Sequence, residues 1–153
     1  MSTGMIPHAP HILLVEDNPA DMRLTLEALK EAKVLCNLHW VKDGVEALDY
    51  LHRRNGFANS ARPDLILLDL NLPRLDGREV LAEIKAHSQL RRIPTVIMST
   101  SKEEEDILRC YDLHANCYIT KDPLNFESFL EAIRSIDRFW LSLVTLPRRA
   151  GEQ

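Results

Sequence analysis

Along this chain, five short apolar runs alternate with longer segments of helical spacing. His11-Ile12-Leu13-Leu14-Val15 reads as a first strand, and Asn18-Pro19 after it offers an N-cap and a first-turn proline. Met22, Leu24, Leu26, Leu29 and Val34, set among charged residues, predict a helix from about Pro19 to Lys33. Leu38 to Val41 predicts a second strand. Asp43 with Glu46 three residues on opens a second helix, reaching about Arg53, and Asn55 to Arg62 reads as a polar loop. The run Leu65 to Leu68 is apolar without alternation, the pattern of a strand covered on both faces, and it ends at Asp69. A helix from about Arg78 to His87 follows, and then Thr95 to Met98, which ends in Ser99, Thr100 and Ser101. Ser101 and Glu104 have capping-box spacing for a fourth helix. Cys117 to Thr120 predicts a short fifth strand ending at Lys121, with a last helix from about Asn125 to beyond Trp140. The stretch before His11 reads as loose.

Strands alternating with helices predict one α/β domain with a parallel sheet, because parallel neighbours need crossover connections, and helices should cover both faces. Spacing leaves the strand order open. In a parallel sheet the C-terminal strand ends share one edge, where open α/β sheets place their ligands. Four of the five runs end there in polar groups: Glu16 and Asp17, Asp69, Ser99, and Lys121.

Carboxylates brought together repel one another, and protonation or a bound cation relieves the repulsion. A hard divalent cation such as Mg²⁺ suits this set better than zinc. A lysine and a hydroxyl facing a metal-bound carboxylate make sense if an anion sits between them, since both donate hydrogen bonds to phosphoryl oxygens. The implied reaction is phosphoryl transfer onto Asp69. Each residue taken alone also fits a solvated loop or a helix cap, and Asp17 or Asn18 could cap the first helix. The coincidence of five groups on one edge favours chemistry.

Composition narrows the possibilities. The chain has 153 residues, 45% of them apolar, enough for a single-domain core. A net charge of -4 lacks the attraction that draws proteins to phosphate backbones, so nucleic-acid binding is not expected. Cys36, Cys110 and Cys117 are too few and too irregular for a disulfide framework or a Cys-x-x-Cys metal site, and read as reduced, mostly buried thiols. The six histidines show no His-x-x-x-His pair and read as surface or packing residues. No leader pattern opens the chain and no apolar segment reaches the length of a membrane span, so a cytoplasmic protein without membrane contact is expected.

These residues resemble the signature of the response-regulator receiver family, and the resemblance covers nearly the whole chain. An acidic pair follows the first strand, Glu16-Asp17, and Asp-x-x-x-Pro-x-x-x-Gly follows the third, as Asp69, Pro73 and Gly77. Ser99 supplies a hydroxyl after the fourth strand, and Tyr118 with Lys121 supplies an aromatic-x-x-Lys around the fifth. The resemblance implies a flavodoxin-like, doubly wound, five-stranded parallel sheet. It implies Mg²⁺ held by Asp17, Asp69 and the main-chain carbonyl of Asn71, with Glu16 assisting through water. It further implies that Asp69 accepts a phosphoryl group from a histidine kinase, that Lys121 pairs with that group, and that Ser99 turns toward it while Tyr118 rotates inward. The regulator would promote its own phosphorylation and dephosphorylation. Three positions depart from the family pattern: Lys121 is followed by Asp122 before Pro123, Thr100 replaces a small residue, and Glu16 stands where Asp is commoner.

Within the family, Asp69-Leu-Asn-Leu-Pro73, Asp76-Gly-Arg-Glu-Val-Leu-Ala-Glu-Ile-Lys85, Asn116-Cys-Tyr-Ile-Thr-Lys121 and Phe139-Trp-Leu141 are similar to stand-alone regulators of bacterial phytochrome kinases. One receiver domain over 8–147, with an extended C-terminal helix and arm and no output domain, is expected. In the last helix, Phe126, Phe129, Leu130, Ile133, Ile136, Trp140, Leu143 and Val144 follow core spacing, whereas Phe139, Leu141 and Leu146 fall off that stripe. Unburied apolar surface marks a partner site. A homodimer is therefore expected through the last two helices, the fifth strand and the C-terminal arm, with Phe139, Trp140, Leu141 and Leu146 in its interface.

Two other readings use the same residues. A haloacid-dehalogenase-type phosphatase also employs a strand-end Asp nucleophile with Mg²⁺, but needs a second acid where Asn71 stands. A pseudo-receiver would bind partners without phosphorylation, and retention of Asp17, Asp69, Ser99 and Lys121 argues against it.

Overall fold

A computed structural model describes residues 5–122 and 124–143. Five strands, β1 (His11–Val15), β2 (Asn37–Val41), β3 (Leu65–Asp69), β4 (Thr95–Ser99) and β5 (Cys117–Thr120), alternate with five helices. These are α1 (Pro19–Glu31), α2 (Gly44–His52), α3 (Gly77–Ala86), α4 (Glu104–Asp112) and α5 (Phe126–Ile136). All neighbouring strands are parallel, in the order β2-β1-β3-β4-β5. The alternation predicts the parallel sheet, and the doubly wound order is the one that the resemblance implies.

Two apolar layers flank the sheet, and strand alternation decides which residue enters which. Ile12, Leu14, Leu65, Leu67, Val96 and Met98 face α1 and α5, packing on Ala28, Leu29, Phe129, Leu130 and Ile133. Leu13, Val15, Ile66, Leu68 and Ile97 face α2, α3 and α4, packing on Leu48, Val80, Leu81, Ile84 and Cys110. β3 is fully buried because both its faces are covered, which is why it reads as an unbroken apolar run.

Helix ends are set by local chemistry. Asn18 caps α1, its side chain accepting from the Ala20 and Asp21 N–H groups, so Asp17 is not the cap. α1 stops at Glu31 rather than Lys33, because Lys33 takes a positive φ of 56° and turns the chain toward β2. Arg53, with φ 55°, ends α2 in the same way. Asp76 caps α3 one residue earlier than the spacing predicts.

Three expectations need correction. Ser101 does not form a capping box with Glu104: α4 begins at Glu104 without a side-chain cap, and the Ser101 hydroxyl donates to Asp106 Oδ2 at 2.7 Å instead. Of the stretch before β1, Ile6 to Ala9 is docked, since Asn37 accepts from the Ile6 N–H at 2.6 Å and donates to the carbonyls of Ile6 and Ala9. After Ile136 the chain winds as a π-helix over Asp137–Leu143. The wider turn stacks residues five apart, so Leu141 follows Ile136 onto the core, and Trp140 and Leu141 both pack against the α1/α5 layer. Phe139 remains 51% exposed, while Leu146 lies outside the described residues.

Cys110 is buried, whereas Cys36 and Cys117 are half-buried. Four of the six histidines pack in pairs, His11 on His39 and His52 edge-on to His87, while His8 and His114 are exposed. No helix among the described residues is long and apolar enough to cross a membrane.

Candidate phosphoryl-acceptor and metal site

The acidic groups meet where the C-terminal ends of β1 and β3 lie side by side, with Val15 opposite Leu68. Glu16 is fully buried and Asp69 nearly so, whereas Asp17 is exposed. One carboxylate oxygen from each of Glu16, Asp17 and Asp69 lies within 4.8 Å of the others. The alternation that turns Leu67 toward α1 and α5 carries on to Asp69, which therefore faces the same side as Lys121. Asn71 is exposed in the loop after β3, and its backbone N–H bonds to the Asp69 carboxyl.

Lys121, itself only 3% exposed, reaches into this cluster from the end of β5. Its Nζ lies 2.7 Å from Glu16 Oε1, 3.2 Å from Asp21 Oδ2 and 3.6 Å from Asp69 Oδ1. Burial pushes the Glu16 carboxyl up to about 7 against the pull of Lys121, and burial raises Asp69 too. Burial alone would lower Lys121, but Asp69, Glu16 and Asp21 outweigh it and hold the ammonium charged. The cluster thus has more buried negative charge than one lysine neutralises. Oxygen donors in this number and spacing fit a small hard cation.

Ser99 is buried at the end of β4, beside Thr120 in register. Its Oγ accepts the Ser101 N–H at 3.1 Å. Tyr118 is half-buried against the α2/α3/α4 layer, and its hydroxyl donates to the Ser101 carbonyl at 2.9 Å. Ser99 and Tyr118 are therefore joined through one intervening residue. Thr100 is exposed, and no peptide bond among the described residues is cis.

Sequence reasoning brought Glu16, Asp17, Asp69 and Lys121 to one place but missed three participants. Asp21 stands one helical turn after Asp17, and that i, i+4 spacing was the available signal. Trp40 donates its indole N–H to the Glu16 carbonyl at 2.7 Å, a contact between strands that nothing in the sequence marks. Arg78 binds Asp106 across α3 and α4, with an Nη2 to Oδ1 distance of 2.6 Å.

A family model described as the response regulator receiver domain matches residues 12–134. The response regulator Rcp1 of Synechocystis sp. is 49% identical over 136 residues, 89% of this chain and 92% of that protein. The crystal structure of the phosphorylated cyanobacterial phytochrome response regulator RcpA is similar with a TM-score of 0.84 and 54% identity, covering 92% of this chain and 99% of that one. The Mn²⁺-bound form of Rcp1 is similar with a TM-score of 0.83 and 48% identity, covering 91% and 99%.

Proposed function

The chain belongs to the response-regulator receiver family, and from that premise we propose that Asp69 is its phosphoacceptor, served by Mg²⁺ and by a phytochrome-type histidine kinase. It is a two-component signalling protein with a histidine kinase as partner, and its acidic pocket takes a divalent cation. The observation that carries the proposal is the clustering of Glu16, Asp17 and Asp69 oxygens within 4.8 Å, with the Lys121 ammonium 3.6 Å from Asp69.

In the transfer, an Asp69 carboxylate oxygen forms a bond to phosphorus as the bond from phosphorus to the kinase imidazole nitrogen breaks. The imidazole keeps that electron pair and leaves as neutral histidine once it carries a proton. Asp17, Asp69 and the Asn71 carbonyl would hold the cation, with Glu16 acting through water. When bound, the cation neutralises charge on the phosphoryl oxygens. Lys121, already charged, pairs with one phosphoryl oxygen, and the Ser99 hydroxyl donates to another. The same groups let the regulator promote its own phosphorylation from small donors and its own dephosphorylation.

RcpA and Rcp1 support the phytochrome kinase as partner. Output passes from Ser99 through Ser101 to Tyr118, and on to a homodimer interface that includes Phe139. The receiver unit spans 8–147 and works in the cytoplasm.

The test is to incubate the protein with Mg²⁺ and either a phosphorylated histidine kinase or a small phosphodonor. Label is then followed on wild type and Asp69→Asn. Stable label lost in Asp69→Asn is the expected result. Label that survives the substitution moves the acceptor elsewhere, continuous phosphate release points to a phosphatase, and no label points to a pseudo-receiver.

A further inference from the structure

Of the three carboxylates around the Lys121 ammonium, Asp21 stands outside the oxygens that gather for a cation. The Lys121 N–H donates to the Ser99 carbonyl at 2.7 Å, which ties the end of β5 to β4 and leaves movement to the side chain. Its ammonium donates to Glu16 Oε1 at 2.7 Å and to Asp21 Oδ2 at 3.2 Å, with Asp69 Oδ1 farther off at 3.6 Å. Glu16 and Asp69 belong with Asp17 to the set whose oxygens lie within 4.8 Å of one another, and Asp21 does not. Against burial, Asp69, Glu16 and Asp21 together keep the ammonium charged.

Asp21 owes its place to the way α1 starts. Asn18 accepts from the Ala20 and Asp21 N–H groups at 2.8 and 3.3 Å, and Pro19 opens the first turn, so the cap sets the Asp21 backbone. The Asp21 side chain is 34% exposed, whereas that of Lys121 is only 3% exposed. An acid in the first turn also favours the positive end of a helix. That accounts for a carboxylate at this position, but not for its contact with a buried ammonium from the end of β5.

We propose that Asp21 is a positioning residue that holds the Lys121 ammonium beside the acidic cluster when a divalent cation takes Glu16, Asp17 and Asp69. The inference rests on the cation reading of that cluster. A cation and an ammonium repel each other and compete for the same oxygens, so the ammonium needs a carboxylate elsewhere or loses its charge in a buried place. Asp21 is that carboxylate. Held there, Lys121 leaves Asp69 to the cation while its charge remains next to Asp69.

Two measurements test it. Mg²⁺ is titrated into the chain by calorimetry at about 0.15 M salt, which screens direct attraction between a partly exposed acid and the cation. Asp21→Asn is expected to bind Mg²⁺ about fivefold more weakly, because the ammonium falls back on Glu16 and Asp69, and Asp21→Glu should recover most of the loss. In a Lys121→Met background, Asp21→Asn should change the affinity less than about twofold, because the group it holds is gone. Wild-type affinity in Asp21→Asn, a loss that Asp21→Glu does not relieve, or a loss that persists in the Lys121→Met background overturns the proposal. Nitrogen NMR of the lysine side chains gives the second readout. At saturating Mg²⁺ the Lys121 ammonium should exchange its protons slowly in wild type and Asp21→Glu and faster in Asp21→Asn, and unchanged exchange in Asp21→Asn also overturns it. Wild type that binds no Mg²⁺ removes the cation reading and the proposal with it. Binding by wild type with an indifferent Asp21→Asn removes the proposal alone.

Discussion

Lys121 stands nearer to Glu16 than to Asp69: its Nζ is 2.7 Å from Glu16 Oε1 and 3.6 Å from Asp69 Oδ1. With Asp21 as its third partner at 3.2 Å, the ammonium acts as counter-charge for the acidic cluster. On the proposed acceptor role, phosphorylation of Asp69 would bring extra negative charge and draw Lys121 toward it. The lysine therefore competes with a cation for the same carboxylates.

Replacing it separates the two roles. Lys121→Met should bind Mg²⁺ about tenfold more tightly, since removing one nearby positive charge at an effective protein dielectric is worth at least ~1.4 kcal/mol. Phosphoryl transfer should nevertheless slow. Trp40 touches the Glu16 carbonyl and reports metal binding by fluorescence in a Trp140→Phe background. Weaker metal binding in Lys121→Met would show that the lysine organises the carboxylates rather than opposing the cation.

Metal binding should depend on pH through Glu16. Its carboxyl is pushed by burial to about 7, so below that value a cation must displace a proton. From pH 8 to pH 6, Mg²⁺ affinity should fall about tenfold, the change expected for one competing proton of that pKa. In Glu16→Gln the slope should flatten. The metal-free chain runs the other way. An acid raised in the folded state adds stability that is present below its unfolded pKa and is lost as pH rises from about 4.5 through 7. In EDTA, melting at pH 8 should therefore fall below melting at pH 5.5, with added Mg²⁺ narrowing the gap.

The sheet and its charged edge were legible because both rest on local pattern. β3 is covered on both faces and reads as an unbroken apolar run, and Asp69 at its end reads as a group delivered to the C-terminal edge. What the pattern missed depends on contacts between elements. The Ser101 hydroxyl turns to Asp106, whose carboxylate Arg78, 28 residues away in sequence, fixes in place. Leu141 reaches the core because the chain widens from an α- to a π-helix at Asp137, a change of period that α-helical spacing cannot anticipate.

Gly77 sets how α3 approaches the acceptor. A Cβ there would overlap the Asp69 carbonyl oxygen and stand 2.6 Å from Leu70 Cα, with only rigid backbone to yield. Gly77→Ala should cost about 1–3 kcal/mol, the usual range for overpacking. It should also slow Asp69 labelling, because the β3 backbone that carries Asp69 would shift. Urea denaturation and labelling kinetics measure the two effects. A stable variant that labels normally would show that α3 can move away without disturbing Asp69.

Phe139 tests the proposed dimer with little risk to the fold. Its ring is 51% exposed and meets Trp140 edge-on, 4.9 Å between centroids, while Trp140 and Leu141 belong to the packed layer. A half-exposed aromatic beside a packed one is placed to enter a partner, and its replacement by a charge leaves the core untouched. Phe139→Asp should convert a dimer at micromolar concentration into a monomer, as read by light scattering. Its stability should stay within about 0.5 kcal/mol, as expected for a surface substitution. Trp140→Ala should lower stability as well as dimerisation, because its ring covers the α1/α5 layer. A monomeric wild type at that concentration would remove the dimer, and Phe139 would then be sought in the contact with the kinase.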